Sequence, residues 1–423
     1  MSRAPQGYYA ASAPQQARPS LHSVVRADVC VIGGGFTGLS AALHLAERGA
    51  TTIVVEGETT GFGASGRNGG QIHTGLRKEQ AALERWLGPI HSYDLWTLAN
   101  EAKALLRALV ERHKIACELK SGLIIAAHST RAARALADDT AHLARTYGYF
   151  ETRMMGAEET SAAIGTSLYP AARFDRGGGH LHPLLFVQGL AAAAETAGAV
   201  ILEHSPVLAL EDNGDCVVAR TPAGAVRANL VIVATDAFIG FLLPQLAPYI
   251  AHVESLVTAT APLPLEQRAR ILASDAAVAD TRHILDYYRK SGDGRLLFAG
   301  RESYFRQPRD IGALVRPRML KVFPALSSVP TEFAWSGTVG ITRTRMPHFG
   351  TIGERIFFAH GYSGQGVALA CLGGKLLAEA ATGNRARFDV FARVPAQRFP
   401  GGAWLRKPLV VAAMLAFKLM DSV

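Results

Sequence analysis

The sequence predicts an α/β fold of two domains, one built on a parallel sheet between helices and one on a mostly antiparallel sheet. Three observations carry this. A strand–helix–strand pattern opens at residue 28, the alternation returns in the middle and near the end, and residues 255–301 shift to extended aromatic segments. The length of 423 residues suits this division, at roughly 100–200 residues per domain.

The opening unit is the clearest. Residues 28–32 form a short apolar run ending in three glycines, as a buried parallel strand does. Residues 38–48 place Leu39, Ala42, Leu43 and Ala46 on one helical stripe with Gly49 as the stop, and 51–55 form a second β-branched strand. Leucines and alanines at helical spacing then predict a helix over 79–113, followed by a strand at 122–127. Pro183 suits a first helical position before a helix over 184–197. Strands are predicted at 200–203, 216–220 and 230–234, and a final strand, glycine turn and helix at 356–359 and 367–381. The sequence contains no internal repeat or low-complexity tract.

Composition narrows the functional classes. Apolar residues make up 49 % and charged residues 19 %, below the usual ~25 % charged, so the chain reads as core-rich rather than disordered. Lysine and arginine (44) exceed aspartate and glutamate (35), but the excess is spread along the chain and does not indicate nucleic acid. Cys30, Cys117, Cys216 and Cys371 form no C-x-x-C pair, so neither a zinc centre nor a redox dithiol is expected, and a reducing, cytoplasmic compartment fits. Residues 1–26 hold Pro5, Pro14 and Pro19 without an apolar core, and read as an arm of modest order rather than a secretory signal. The longest apolar run, 409–417, falls short of the roughly 20 residues of a membrane-spanning helix, so no integral membrane segment is expected.

Gly33, Gly35 and Gly38 have G-x-G-x-x-G spacing between strand and helix, with Phe36 and Thr37 at the helix start. The first glycine serves the tight turn, the second the approach of backbone to a pyrophosphate, and the third helix–strand packing. The helix N-terminus supplies free N–H groups to the phosphates. Glu56 closes the second strand 18 residues after Gly38, where a carboxylate accepts hydrogen bonds from ribose hydroxyls. A glycine triplet alone does no more than make a turn; strand, helix and acid in place make this a Rossmann-like dinucleotide site. The fingerprint does not distinguish FAD from NAD.

The loop 61–71 carries five glycines and, with the fingerprint, belongs to a wider set of motifs. These are the arm Tyr8-Tyr9-Ala10-Ala11, residues 31–49, Gly178-Gly179-His180-Leu181-His182-Pro183, Asp286-Tyr287-Tyr288-Arg289, and Gly361-Tyr362-Ser363-Gly364-Gln365-Gly366-Val367. On them the chain resembles the FAD-dependent D-amino-acid oxidase superfamily over roughly residues 8–383. Within its glycine/sarcosine oxidase branch it is most similar to the gamma-glutamylputrescine oxidoreductases.

The resemblance implies noncovalent FAD and a sheet-based substrate domain covering the flavin. It divides the chain into an arm (1–26), a discontinuous FAD-binding domain (27–82, 157–245, 335–395), a substrate domain (83–156, 246–334) and a C-terminal extension (396–423). It places Ser65, Arg67, Asn68, Gly70 and Gln71 along the flavin, Val207 at the adenine, and Ala234 and Thr235 near the cofactor. Gly364, Gln365, Gly366 and Val367 are expected where a helix N-terminus meets the flavin's N1 and C2 carbonyl, stabilising negative charge there. His73 follows the flavin loop, but the resembled family has no histidine there, hence noncovalent attachment.

Flavin-dependent amine oxidation needs a neutral amine, an aimed C–H bond and exclusion of water, not an obligatory base, so no catalytic side chain is assigned. In the resembled amino-acid oxidases an arginine after Trp-x-Gly clamps the substrate carboxylate. Laid on Trp335-Ser336-Gly337-Thr338-Val339, that position holds Val339, which argues against a simple α-amino acid. Arg343 and Arg345 lie close enough to grip a more distant carboxylate, and Tyr287, Tyr288, Tyr304 and Trp335 are candidates to line an aromatic substrate cavity. His180 and His182 form an H-x-H pair lacking a third ligand in a supporting pattern, so no metal is expected.

The expected activity is oxidation of a secondary or γ-glutamylated amine to an imine, with oxygen or another electron acceptor as second substrate. The alternatives are a sarcosine/glycine or D-amino-acid oxidase or dehydrogenase, and a non-catalytic flavin-binding subunit. Oligomeric state and the role of the apolar segment 405–420 stay open.

Overall fold

The computed structural model describes residues 7–13, 15–303 and 308–401. Val24–Ile32 lies inside an eight-stranded sheet whose main path runs His348–Ile352, Ile356–His360, Ala225–Val233, Val24–Ile32, Thr52–Val55, Val200–Leu202. The four pairings from Ile356–His360 to Val200–Leu202 are parallel. Ala209–Asp212 and Val217–Arg220 add an antiparallel annex beside the first half of Ala225–Val233.

Helices Phe36–Ala46, Pro183–Thr196 and Gly366–Ala381 cover one face, burying Leu39, Leu43, Leu190 and Leu372 against Val31 and Val54. Cys30, Ile32, Val231 and Val233 point to the opposite face and pack on Leu243 and Ile250. Both faces are therefore apolar, which is why these strands read as continuous hydrophobic runs.

The second sheet has nine strands, ordered Thr331–Thr342, Ile250–Thr260, Leu296–Ser303, Tyr287–Lys290, Ala277–Asp280, Lys120–Ala127, Ala171–His180, Gln71–Ile72, with Thr152–Met155 beside Ala171–His180. It is antiparallel except where Ala277–Asp280 runs parallel to Lys120–Ala127. Helix Ile311–Val322 closes its outer face over a core containing Tyr288, Phe298 and Phe323.

Several expectations are corrected. The helix predicted over 79–113 is two helices, Gln80–Leu87 and Pro89–Arg112, because Gly88 takes φ +84° and Pro89 supplies no N–H to continue the first. The arm is tied down: Tyr8 and Tyr9 are buried, Arg18 pairs with Glu195 at 2.6 Å, and the first strand starts at Val24 because Val24 and Val25 pair with Ala225 and Val226. Two strands from segments given to the FAD-binding domain, Gln71–Ile72 and Ala171–His180, pair in the second sheet, and the 334/335 boundary falls inside Thr331–Thr342. Of the C-terminal extension, 396–401 is described, with the Phe399 N–H donating to Pro248 O at 2.8 Å; the segment 405–420 lies outside the described residues. Among the described residues no helix is long and apolar enough to cross a membrane.

Candidate functional site

The first parallel strand ends in the glycine turn, and the helix starts at Phe36. A Cβ on Gly38 would lie 1.9 Å from Gly33 O, so only glycine lets the helix begin this close to the turn. The Glu56 carboxylate accepts the N–H groups of Gly34 at 2.6 Å and Glu58 at 2.9 Å. Burial pushes this carboxyl up, and those two hydrogen bonds oppose the rise. Two accepted bonds leave lone pairs for hydroxyl donors. Val207 does not line the main cleft; it follows Ser205, whose N–H donates to Glu56 O at 2.8 Å, and so sits toward the Glu56 end.

The glycine-rich loop crosses from this sheet to the second one. Ser65 Oγ accepts the Phe36 N–H at 3.0 Å. Asn68 turns inward, donating to Ala64 O and Ser65 O and accepting the Gly70 N–H at 2.7 Å, so its amide shapes the loop. Arg67 lies over the Phe62 ring at 4.6 Å and reaches Ser336 O at 3.4 Å. Gln71 donates to Val278 O at 2.8 Å.

A third segment closes the site. Asp236 accepts the N–H of Gly361 at 2.7 Å and of Gly340 at 3.2 Å, joining the strand exit at Ala234 to the second sheet and to the loop before helix Gly366–Ala381. Tyr362 Oη and Thr37 Oγ1 are 2.9 Å apart, which ties that loop to the fingerprint helix. Thr235 Oγ1 and Gln365 Oε1 are buried with no hydrogen-bond partner among the described residues.

These segments line a deep cleft between the two sheets. Gly35, Phe36, Thr37, Ser65, Arg67 and Asn68 are on its wall, as are Gln71, Ala234 and residues 364–367. Opposite stand Val253, Ser255, Tyr287, Gly337, Val339 and Ile341, presented by register pairs Val253–Val339 and Ser255–Gly337 on one sheet face. Tyr287 Oη is 2.7 Å from Ser255 Oγ.

Not every substrate-side candidate reaches the cleft. Tyr288, next to Tyr287 on a strand, faces the other way, stacked on Phe298 at 5.3 Å. Trp335 instead donates Nε1–H to Arg67 O at 3.0 Å and packs edge-on to Tyr9, holding the loop from behind. Arg345 lines the cleft, whereas Arg343 reaches Arg398 O; Tyr304 lies outside the described residues. His180 is 2.7 Å from Asp275 O through Nε2, and His182 Nδ1 accepts the Leu185 N–H as a helix cap; both are engaged in holding loops.

Sequence reading gave no role to Asp236, Arg77, Arg301 and Glu302 on the cleft wall, and weighed His73 there only as a point of flavin attachment. The signals were an acid three residues past a buried strand and, for Arg77, a cation six residues after the glycine-rich loop. Burial, reinforced by the charge of Arg77, holds His73 down to about 4, so it is neutral at ordinary pH.

A dinucleotide fingerprint on a parallel sheet, facing an antiparallel sheet across a deep cleft, defines a two-domain dinucleotide-dependent oxidoreductase. The chain matches the model of the FAD dependent oxidoreductase family (DAO) over residues 28–380 and belongs to that family. It is 36 % identical over 417 residues to gamma-glutamylputrescine oxidoreductase of Escherichia coli (strain K12), covering 98 % of this chain and 97 % of the relative. It is also 36 % identical to probable oxidoreductase OrdL of Haemophilus influenzae, covering 95 % and 94 %. Among solved structures it is similar to glycine oxidase from Geobacillus kaustophilus, with TM-score 0.71, 24 % identity and coverage of 85 % and 95 %. The enzyme's cofactor is FAD, and the residues fit it: the fingerprint has no room for side chains, Glu56 keeps free lone pairs, and the unpartnered Thr235 and Gln365 oxygens await a polar ligand.

Proposed function

We propose that this protein oxidises an amine C–N bond of a γ-glutamylated amine of the gamma-glutamylputrescine kind, or of another secondary amine, to an imine. The observation that carries the reading is Val339 on the cleft wall, flanked by Val253, Ile341 and Tyr287. An α-amino acid would need a cation at that position, whereas an amine on an apolar chain needs the desolvated wall that is there. The full-length relative named for gamma-glutamylputrescine supports the same substrate class.

FAD, when bound, supplies a two-electron acceptor for hydride from the carbon beside nitrogen. Gly33, Gly35, Gly38 and Glu56 hold its ADP half, with Val207 at the adenine. The loop 65–71, Ala234, Thr235 and residues 364–367 hold the flavin. Helix Gly366–Ala381 points its N-terminus at the cleft, so its dipole favours the negative charge that reduction brings. The apolar wall excludes water during transfer, and the imine is hydrolysed on release. Dioxygen then takes two electrons and two protons and leaves as hydrogen peroxide. FAD is noncovalent in this reading. The free thiols Cys30, Cys117, Cys216 and Cys371 suit a cytoplasmic location.

The test is the anaerobic absorbance of purified holoenzyme with gamma-glutamylputrescine, then sarcosine and D-alanine. Bleaching of the flavin band by the first compound alone supports the reading. Bleaching by the amino acids would reassign the enzyme to the glycine or D-amino-acid oxidases, and none by any amine would favour a non-catalytic flavin-binding subunit. Acid precipitation should release the flavin into the supernatant.

A further inference from the structure

The cleft wall carries four guanidiniums, Arg67, Arg77, Arg301 and Arg345, against two carboxylates, Asp236 and Glu302. Asp236 is taken up by backbone N–H groups, and Arg67 by the Phe62 ring and Ser336 O. Arg77 and Arg345 make no side-chain hydrogen bond or ion pair among the described residues. They arrive from different elements: Arg77 from the loop between Gln71–Ile72 and Gln80–Leu87, Arg345 from the turn between Thr331–Thr342 and His348–Ile352. That turn is fixed by Thr342 Oγ1, which donates to Met346 O at 2.7 Å, and by the Arg345 N–H, which donates to Thr342 O. Arg345 has φ +63°, a left-handed backbone that non-glycine residues seldom adopt.

We propose that Arg77 and Arg345 form a carboxylate subsite that selects amines bearing a carboxylate remote from the oxidised carbon. Two guanidiniums in a partly desolvated wall repel each other and lack hydrogen-bond acceptors, and one carboxylate between them supplies acceptors to both. Burial lowers the Arg77 pKa and the charge of Arg345 lowers it further, while Glu302 opposes this, so the pair sense each other across the cleft. Val339 leaves the reacting carbon's surroundings apolar, so the anionic group of the substrate binds away from it. This subsite deepens the amine-oxidoreductase reading and rests on it for the identity of the ligand.

The test uses holoenzyme and the variants Arg77→Met, Arg345→Met and Arg345→Lys. Glutarate is titrated into each oxidised protein and followed by flavin difference absorbance and calorimetry, with glutaramide as the uncharged control. Each methionine variant should weaken glutarate by about tenfold or more, lysine should restore part of the affinity, and glutaramide should bind equally to all. In turnover, Arg345→Met should raise KM for gamma-glutamylputrescine by a similar factor with kcat within about twofold. KM for N-acetylputrescine, which lacks the carboxylate, should stay unchanged. Undiminished glutarate affinity in the methionine variants overturns the subsite, as does purification of either without flavin, which would assign the arginines to the cofactor. If no amine reduces the wild type, the amine reading fails while the glutarate titration still decides the subsite.

Discussion

Asp236→Asn and Asp236→Ala separate the charge of this side chain from its shape. Asp236 joins three segments distant in sequence, accepting the N–H of Gly361 at 2.7 Å and of Gly340 at 3.2 Å. A hydrogen bond to a charged acceptor contributes roughly 1.5–3 kcal/mol. Alanine removes both bonds, a loss of about 3–6 kcal/mol. Asparagine keeps one carbonyl, which turns to the shorter bond at Gly361, and points an NH₂ group at the Gly340 N–H, a loss of about 2–4 kcal/mol. Gly361 begins the loop that runs to residues 364–367 on the cleft wall, so part of this loss falls on FAD affinity. A share of about 2 kcal/mol is roughly 30-fold in Kd. The assay is FAD titration of apoprotein by fluorescence quenching, with melting curves in the presence and absence of excess FAD. Both variants should bind FAD more weakly, alanine more so than asparagine. Wild-type affinity in both, or equal losses in the two, would refute the assignment of Asp236 as an acceptor that holds the flavin-side loop.

Gly38→Ala should give protein without flavin, because its Cβ would lie 1.9 Å from Gly33 O and the turn has to open; the ratio of flavin to protein absorbance checks this. Val339→Arg should confer measurable turnover of sarcosine or D-alanine and lower that of gamma-glutamylputrescine, read by peroxide release, since it puts a cation on the apolar wall. Stability should fall on acidification below neutrality. Burial holds His348 and His180 down to about 4 and His182 to about 3. Unfolded chain therefore binds protons from about pH 6.5 downward while the fold refuses them until near pH 4. The stabilisation is complete above about pH 6.5 and is lost as pH falls toward 4, by about 1.4 kcal/mol per unit for each such histidine. Urea midpoints measured from pH 7 to 4.5 should follow this slope, and His348→Phe should make it shallower.

The strand–turn–helix unit of the glycine fingerprint was legible because its parts are local: turn, helix start and strand end lie within residues 28–56, and each demands a particular residue type. The break at Gly88-Pro89 was also written locally, but leucines and alanines continuing at helical spacing on both sides concealed it. Alternation along a strand meant that Tyr287 and Tyr288 could not both face the cleft, yet which of them did depended on the packing of Phe298 and Phe323. Asp236 was out of reach for another reason. Its partners lie 104 and 125 residues away, and a lone acid after a strand has no meaning until the second sheet and the C-terminal loop arrive. Trp335 shows the same dependence: its indole serves the backbone of a loop 268 residues earlier, while its aromatic character had suggested a substrate wall.

The glycine-rich loop couples the two halves of the molecule. Its backbone carbonyls are held from the second-sheet side: Arg67 O by the Trp335 indole at 3.0 Å, Gly69 O by Arg289 Nε at 2.9 Å, and Gly70 O by the Leu181 N–H at 2.9 Å. Its start is held from the other side by Ser65 on the Phe36 N–H. A ligand that contacts this loop and the fingerprint at once therefore strengthens the junction between the sheets as well as its own site. Binding to the folded state alone stabilises it by RT ln(1 + [L]/Kd), about 2.7 kcal/mol at one hundred times Kd. Trp335→Phe keeps the ring against Tyr9 and removes the indole N–H that donates to Arg67 O, an expected loss of about 1 kcal/mol. Because that bond holds a loop that FAD would contact, the loss should appear in the apoprotein's melting and grow when FAD is in excess, weaker FAD binding adding to it. A loss of the same size with and without FAD would mean that the indole only fills space and that the loop is not the coupling element.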